Sequence, residues 1–235
     1  MYDNRLAVAY VCFRILFLMI TSTTTLRALV FDAYGTLFDV HSVATLCEEL
    51  WPGKGDLITR TWRAKQLEYT WQRSLMQRYV PFSTVTREAL AYSCEALKLE
   101  LSVAQMEGLM GEYLNLALYP DVTRTLAKLK TPKAILSNGS PDILLPLVNN
   151  SGLELDAVLS VDPLKIFKPA PQVYELAARE LGTKDIGFVS SNCWDAIGAK
   201  SYGFRVYWIN RAGAPVDRMG FTPDRILESL DEILQ

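Results

Sequence analysis

From Leu26 to the C-terminus, short apolar runs of β-forming residues alternate with stretches of helical periodicity, and this alternation constrains the fold more than any other feature. The runs fall at residues 28–31, 134–136, 157–161, 186–189 and 205–209, and helix-like stretches lie at 121–130, 141–151, 172–181 and 196–202. Strands separated by helices predict a parallel sheet wrapped by helices, an α/β core of Rossmann-like type. Ser140 followed by Pro141 predicts one helix start, a capping oxygen before a proline at the first helical position.

One interval breaks the alternation. The chain between the first and second runs is far longer than a crossover helix requires, which predicts an inserted domain. Residues 39–117 read as all helical, with an amphipathic stretch at 56–79 and a capping box from Ser102 to Gln105. The expected division is therefore a core of residues 26–38 and 118–235 and a helical cap of 39–117. An insertion at the carboxyl tip of a strand tends to cover the active site.

Residues 1–25 read as an N-terminal extension, a mis-assigned start or a signal-like segment. The apolar run at 6–20 falls short of the roughly 20 residues a membrane span needs. Arg14 splits the run, whereas a signal peptide places its positive charge ahead of it. The expectation is a chain whose folded part begins near Met19 or Leu26, with no membrane partner and with export the lesser alternative.

Charge and rare residues narrow the chemistry. The formal net charge is −2, so no imbalance points to nucleic acid or anionic lipid, and a small neutral or anionic substrate fits better. The four cysteines, at 12, 47, 94 and 193, form no CxxC pair, which suggests a reduced cytoplasmic setting. The single histidine, His41, leaves Ser-His-Asp catalysis and histidine-rich metal sites without their imidazoles.

Ligands of open α/β sheets sit beyond the carboxyl ends of the strands, so the polar residues at those tips are the candidates. They are Asp32, Tyr34 and Thr36 after the first run, Ser137 and Asn138 after the second, Lys168 after the third, and Ser190, Asn192 and Asp195 after the fourth.

The segment LVFDAYGTLFD at 29–39 resembles the first motif of the haloacid dehalogenase superfamily. LSNGS at 136–140, KP at 168–169 and SSNCWD at 190–195 match its second, third and fourth motifs in order. Phosphatases of that superfamily carry DxD, whose second acid protonates an alkoxide, and hold magnesium on acids of the fourth motif. Here Tyr34 replaces the second acid, and the fourth motif offers Ser191, Asn192 and the single Asp195. A halide departs as a stable anion without a proton. The closer resemblance is to the L-2-haloacid dehalogenases, and it covers residues 26–235, including WRAKQLEYTWQRSLMQRYVPF at 62–82.

That resemblance implies attack by Asp32 on the halogen-bearing carbon of a short 2-haloacid with inversion, then hydrolysis of an aspartyl ester to a D-2-hydroxy acid. It implies a homodimer and no cofactor or metal. Lys168 would keep Asp32 ionised, since a nearby opposite charge favours the charged form, and Thr36 and Ser190 would hold the carboxylate oxygens. Arg63 would receive the halide, a task suited to a permanently charged donor fork. Ser137 and Asn138, with the backbone at Ala33 and Tyr34, would grip the substrate carboxylate. Tyr34, Leu67, Phe82 and Trp194 would wall the alkyl group, Asn192 and Asp195 would position water, and Tyr174 would support Lys168 and Asp195.

One departure from the pattern is Ala64, where related enzymes often place glutamine. His41 and Cys193 read as a solvated or hinge histidine and an inert packing thiol. A magnesium-dependent phosphatase of the same superfamily is the competing enzyme reading, and a degenerate member that binds a carboxylate ligand is the non-enzyme one.

Overall fold

Each apolar run becomes a strand, and a sixth joins them. In the computed structural model, which describes residues 26–235, the strands are β1 (Ala28–Phe31), β2 (Lys133–Ser137), β3 (Ala157–Ser160), β4 (Ile186–Ser190), β5 (Arg205–Ile209) and β6 (Arg225–Leu227). They form one sheet in the order β3-β2-β1-β4-β5-β6, with every pairing parallel. The central strand is buried at all four positions, as a strand covered by helices on both faces must be. Val30 pairs with Ala134 on one side and Phe188 on the other, so β1 is where the strand order reverses. That reversal opens a crevice at its carboxyl end, beside Asp32. The edge strand β6 is only three residues long and partly exposed, too short for its pattern to stand out in the sequence.

Between β1 and β2 lie a 3₁₀ turn (Val40–Val43) and helices α1 (Ala44–Leu50), α2 (Gly55–Leu75), α3 (Phe82–Ala96) and α4 (Val103–Glu112). α2 and α3 pack face to face. The buried Trp62 indole donates to the Thr86 carbonyl at 2.8 Å, and the Gln66 amide donates to Thr86 Oγ1 at 2.7 Å. Ser102 and Gln105 form the expected reciprocal cap of α4. α2 ends four residues before its predicted limit. Gln77 turns to φ 55° and the Arg78 amide reaches back to the Arg73 carbonyl at 2.9 Å, which closes the helix end.

The chain leaves the sheet and returns to it side by side. The Asp39 amide donates to the Ala117 carbonyl at 2.8 Å, and the Tyr119 amide to Leu37 at 3.1 Å. Beyond this hinge follow α5 (Val122–Lys128), α6 (Pro141–Ser151), α7 (Pro171–Glu180) and α8 (Cys193–Tyr202), the helices that cover the sheet. No helix among the described residues is long and apolar enough to cross a membrane. The extension read at 1–25 lies outside the described residues.

Ser140 corrects one expectation. It occupies the cap position of α6, but its hydroxyl makes no capping bond. Instead it accepts the Ser83 amide at 3.1 Å, tying the start of α3 to the sheet. A second tie runs from the Phe167 amide to Ser74 Oγ at 3.1 Å, and a third from the Tyr79 hydroxyl to Asp162 at 2.7 Å. Burial, then the Asp162 carboxylate, pushes the Tyr79 phenol up, so it acts as a donor.

Candidate active site

Asp32 follows β1 directly, and its amide donates to the Val189 carbonyl at 2.9 Å, which carries the sheet ladder one residue past the strand. Gly35 then turns the chain at φ 88°, a left-handed conformation that suits glycine. This turn brings Thr36 back over the carboxylate. Thr36 Oγ1 donates to Asp32 Oδ2 at 3.0 Å and accepts the Ser191 amide at 2.8 Å. Because the amide occupies its acceptor side, the hydroxyl proton is directed at Asp32.

Asn192 supplies the second donor to the same oxygen. Its side-chain amide donates to Asp32 Oδ2 at 2.8 Å and to the Tyr34 carbonyl at 3.1 Å, using both protons. Asp32 Oδ1 accepts Lys168 Nζ alone, at 3.0 Å. Oδ1 therefore keeps a lone pair that no described donor takes, on a carboxylate fixed at three points.

Lys168 is 1 % exposed, and Nζ also lies 2.8 Å from Asp195 Oδ2, so one ammonium bridges two carboxylates. Burial pulls the amine down, but the Asp195 and Asp32 charges outweigh it and hold the amine above its ordinary value. Its backbone amide donates to Asn138 Oδ1 at 2.9 Å. Asp195 is fully buried on α8, and its Oδ1 accepts the Tyr174 hydroxyl at 2.8 Å. Burial raises its carboxyl to about 6 against the pull of Lys168, and the charge of Asp32 adds to the rise. α8 reaches Tyr174 only because residue 198 is glycine. A Cβ there would sit 2.4 Å from the Tyr174 hydroxyl and 2.6 Å from Pro169.

The helical insertion closes the site from above. Arg63, on α2, donates to the Tyr34 carbonyl at 3.3 Å and to Gln66 Oε1 at 2.7 Å. It makes no ion pair among the described residues. Arg63 and Asn192 thus converge on one carbonyl next to the nucleophile. With Gly35, Leu67, Trp194 and Arg211 they border a cavity of about 460 Å³. Trp194 is fixed edge-on against Trp71 of α2, ring centres 5.5 Å apart.

The sequence-derived candidates fall into two groups. Asp32, Thr36, Lys168, Tyr174, Asn192 and Asp195 form one connected network. Arg63 joins it through Tyr34 and Asn192, while Leu67 and Trp194 line the cavity. Ser137, at the end of β2, is buried with its hydroxyl accepting the Gly139 amide at 3.0 Å. Ala33 is buried, and its carbonyl accepts the amides of the turn, Leu37 and Phe38 both at 3.0 Å.

Two placements differ from expectation. Ser190 does not reach Asp32. Its hydroxyl accepts the Asn192 amide at 3.1 Å, so the second grip on the nucleophile belongs to Asn192. Phe82 is 1 % exposed and lies against Tyr34, ring centres 5.4 Å apart, a support for the wall more than its surface. The Tyr34 hydroxyl is buried without a partner among the described residues, and burial, then Tyr113, pushes the phenol up.

Sequence reasoning missed Gln66 and Arg211, and it named Ser191 in the fourth motif without giving it a role. Gln66 is fully buried and fixes Arg63, one helical turn away on the same face of α2, a spacing that could have revealed it. No cluster of three or more histidine, cysteine, aspartate or glutamate residues suited to a metal occurs among the described residues. Between Asp32 and Asp195 stands the Lys168 ammonium.

Comparison with known proteins adds three likenesses and a family. Residues 26–203 match the model of the haloacid dehalogenase-like hydrolases. The chain is 47 % identical over 217 residues to the (S)-2-haloacid dehalogenase of Pseudomonas sp. (strain YL), covering 89 % of this chain and 94 % of that one. It is 44 % identical to haloacetate dehalogenase H-2 of Moraxella sp. (strain B), over 89 % of this chain and 96 % of the other. The solved structure of the L-2-haloacid dehalogenase from Xanthobacter autotrophicus with chloropropionic acid covalently bound superposes with a TM-score of 0.83 at 42 % identity, covering 89 % and 97 % of the two chains.

Proposed function

The chain belongs to the haloacid dehalogenase-like hydrolase family, and from its site we propose that it hydrolyses short L-2-haloalkanoic acids to D-2-hydroxy acids and halide, without a metal. The observation that carries this reading is the Asp32 carboxylate, clamped on Oδ2 by Thr36 and Asn192 and paired on Oδ1 with a buried ammonium. Such an anion is oriented, partly desolvated and ready to attack carbon. Tyr34 occupies the position where an alkoxide-expelling enzyme needs an acid, and its raised phenol is a poor proton donor.

In the first step Asp32 Oδ1 forms a bond to C2 from the side opposite the halogen, and the carbon–halogen bond breaks with its electron pair leaving as halide. Arg63 receives that anion. The substrate carboxylate is held by Ser137, Asn138 and the backbone at Ala33 and Tyr34, with Leu67 and Trp194 against the alkyl group. In the second step water adds to Asp32 Cγ, and Asp195, whose carboxyl sits at about 6, takes a proton from it. Collapse breaks the bond between Cγ and the substrate oxygen, the product leaves with a proton on its C2 oxygen, and one proton passes to solvent. Lys168 and Tyr174 hold Asp195 in place throughout.

The same reading divides the protein into a core of residues 26–38 and 118–235 and a cap of 39–117, and assigns it to the cytoplasm as a homodimer. The free thiols of Cys47, Cys94 and Cys193 support the cytoplasmic assignment, the paired chain crossing at the hinge supports the division, and the homodimer rests on the resemblance alone.

The test is halide release from each enantiomer of 2-chloropropionate in the presence of EDTA. Chloride from the L-enantiomer alone, with D-lactate as product, is the expected result. Release that requires added magnesium, or the absence of turnover beside phosphatase activity, would overturn the reading.

A further inference from the structure

Arg211 stands just past β5, outside every residue assigned above to substrate or water, yet its guanidinium joins three segments that build the site. One arm, Nη1, donates to Ser191 Oγ at 2.8 Å. The other, Nη2, donates to the Thr36 carbonyl at 3.4 Å and to the Asp121 carboxylate at 3.0 and 3.2 Å. The plane lies over the Tyr119 ring, 4.0 Å from its centre. Asp121 is itself fixed, since its Oδ2 accepts the Leu230 amide at 2.7 Å.

These partners are the supports of the nucleophile. Thr36 donates to Asp32, and Ser191 gives Thr36 the amide that aims its hydroxyl. Asn192, the other donor to Asp32 Oδ2, follows Ser191 in the chain. Tyr119 belongs to the hinge, its amide on the Leu37 carbonyl in the loop that carries Thr36. One rigid fork therefore sets the spacing between the loop after β1, the loop after β4 and the returning strand of the hinge. We propose that Arg211 is a positioning residue for the dehalogenation, holding Thr36 and Ser191 at the separation that aligns Asp32 for attack.

The role depends on shape as well as charge. A planar fork can serve Ser191 with one arm and Thr36 with Asp121 through the other, whereas a lysine presents a single point charge. Misplacement of a reacting group by about 1 Å costs on the order of 10²-fold in rate.

The inference rests on the proposed dehalogenase reading, so wild-type full-length protein is assayed first on L-2-chloropropionate. No chloride from wild type sinks that reading, and is told apart from any result on the variants. With wild type active, Arg211→Lys and Arg211→Ala are compared for kcat per folded enzyme, KM and thermal midpoint. The expected result is a 10- to 100-fold fall in kcat for Arg211→Lys with KM within threefold. Millimolar guanidinium is expected to restore part of the kcat of Arg211→Ala, as it refills the fork. A kcat per folded enzyme equal to wild type, whatever the change in midpoint, would overturn the proposal. So would a rise in KM at constant kcat, which marks a substrate contact, or a loss in Arg211→Ala that guanidinium leaves unchanged.

Discussion

Replacing Lys168 with methionine isolates the charge at the centre of the site, because an apolar side chain of similar length is kept and the ammonium, 5.0 Å from the centre of the Phe188 ring, is lost. Nζ holds Asp32 at 3.0 Å and Asp195 at 2.8 Å with 1 % exposure. Removing one partner of a buried ion pair costs about 3–5 kcal/mol. Here the loss falls on two facing carboxylates, one of which already titrates at about 6. Without the ammonium Asp195 loses the charge that opposes its burial and is driven further toward the protonated form. An acid whose folded pKa lies above its unfolded value binds a proton on folding, so its contribution to stability falls as pH rises through that window. The predicted gap in unfolding free energy between wild type and Lys168→Met is therefore small near pH 5 and widens toward pH 8. It grows by about 1.4 kcal/mol per pH unit for each extra proton bound. Urea melts at four pH values measure it, and chloride release from L-2-chloropropionate is expected to fall by about 10²-fold or more at pH 7, the equivalent of about 2.7 kcal/mol. A stability gap that stays constant from pH 5 to pH 8, or a rate close to wild type at neutral pH, would refute the idea that the ammonium opposes protonation of Asp195 and fixes the site.

Two further predictions separate residues that share a motif. Asn192→Ala removes a donor to a charged oxygen, worth about 1.5–3 kcal/mol, so its kcat should drop by roughly 10- to 150-fold, while Ser190→Ala should lose less than Asn192→Ala does; the reverse order would restore Ser190 as the direct support of Asp32. For Asp195→Asn, the acidic limb of the kcat profile near pH 6 should disappear and the aspartyl ester should accumulate in the mass spectrum of the intact protein, whereas an unchanged limb would assign that titration to another group.

Much of this architecture is legible in the chain because its strands are short apolar runs with polar residues at their tips. Asp32, Thr36, Lys168 and Asp195 could be listed from strand ends alone, since a parallel sheet delivers those ends to one crevice. What strand ends do not reveal is which tip residue touches which. Ser190 and Asn192 are two positions apart in one loop, and the fold turns the amide of Asn192 toward Asp32 while the serine hydroxyl serves the loop itself. Ser140 looked like a helix cap for the same reason, a good local residue whose hydroxyl is claimed by a distant partner, Ser83. Arg211 and Asp121 were illegible because they are 90 positions apart and meet only through tertiary packing. β6 stayed hidden because three residues, one of them buried, are too few to carry a period.

The central claim is that the new carbon–oxygen bond is made by Asp32 and not by water. A single turnover with enzyme in excess over L-2-chloropropionate, run in water enriched in oxygen-18, tests it by mass spectrometry of the product and of the peptide containing Asp32. The account predicts that the D-lactate of this first turnover carries ordinary oxygen on C2 while the Asp32 carboxylate gains the label. Label on C2 of the first-turnover product, with Asp32 unlabelled, would contradict it.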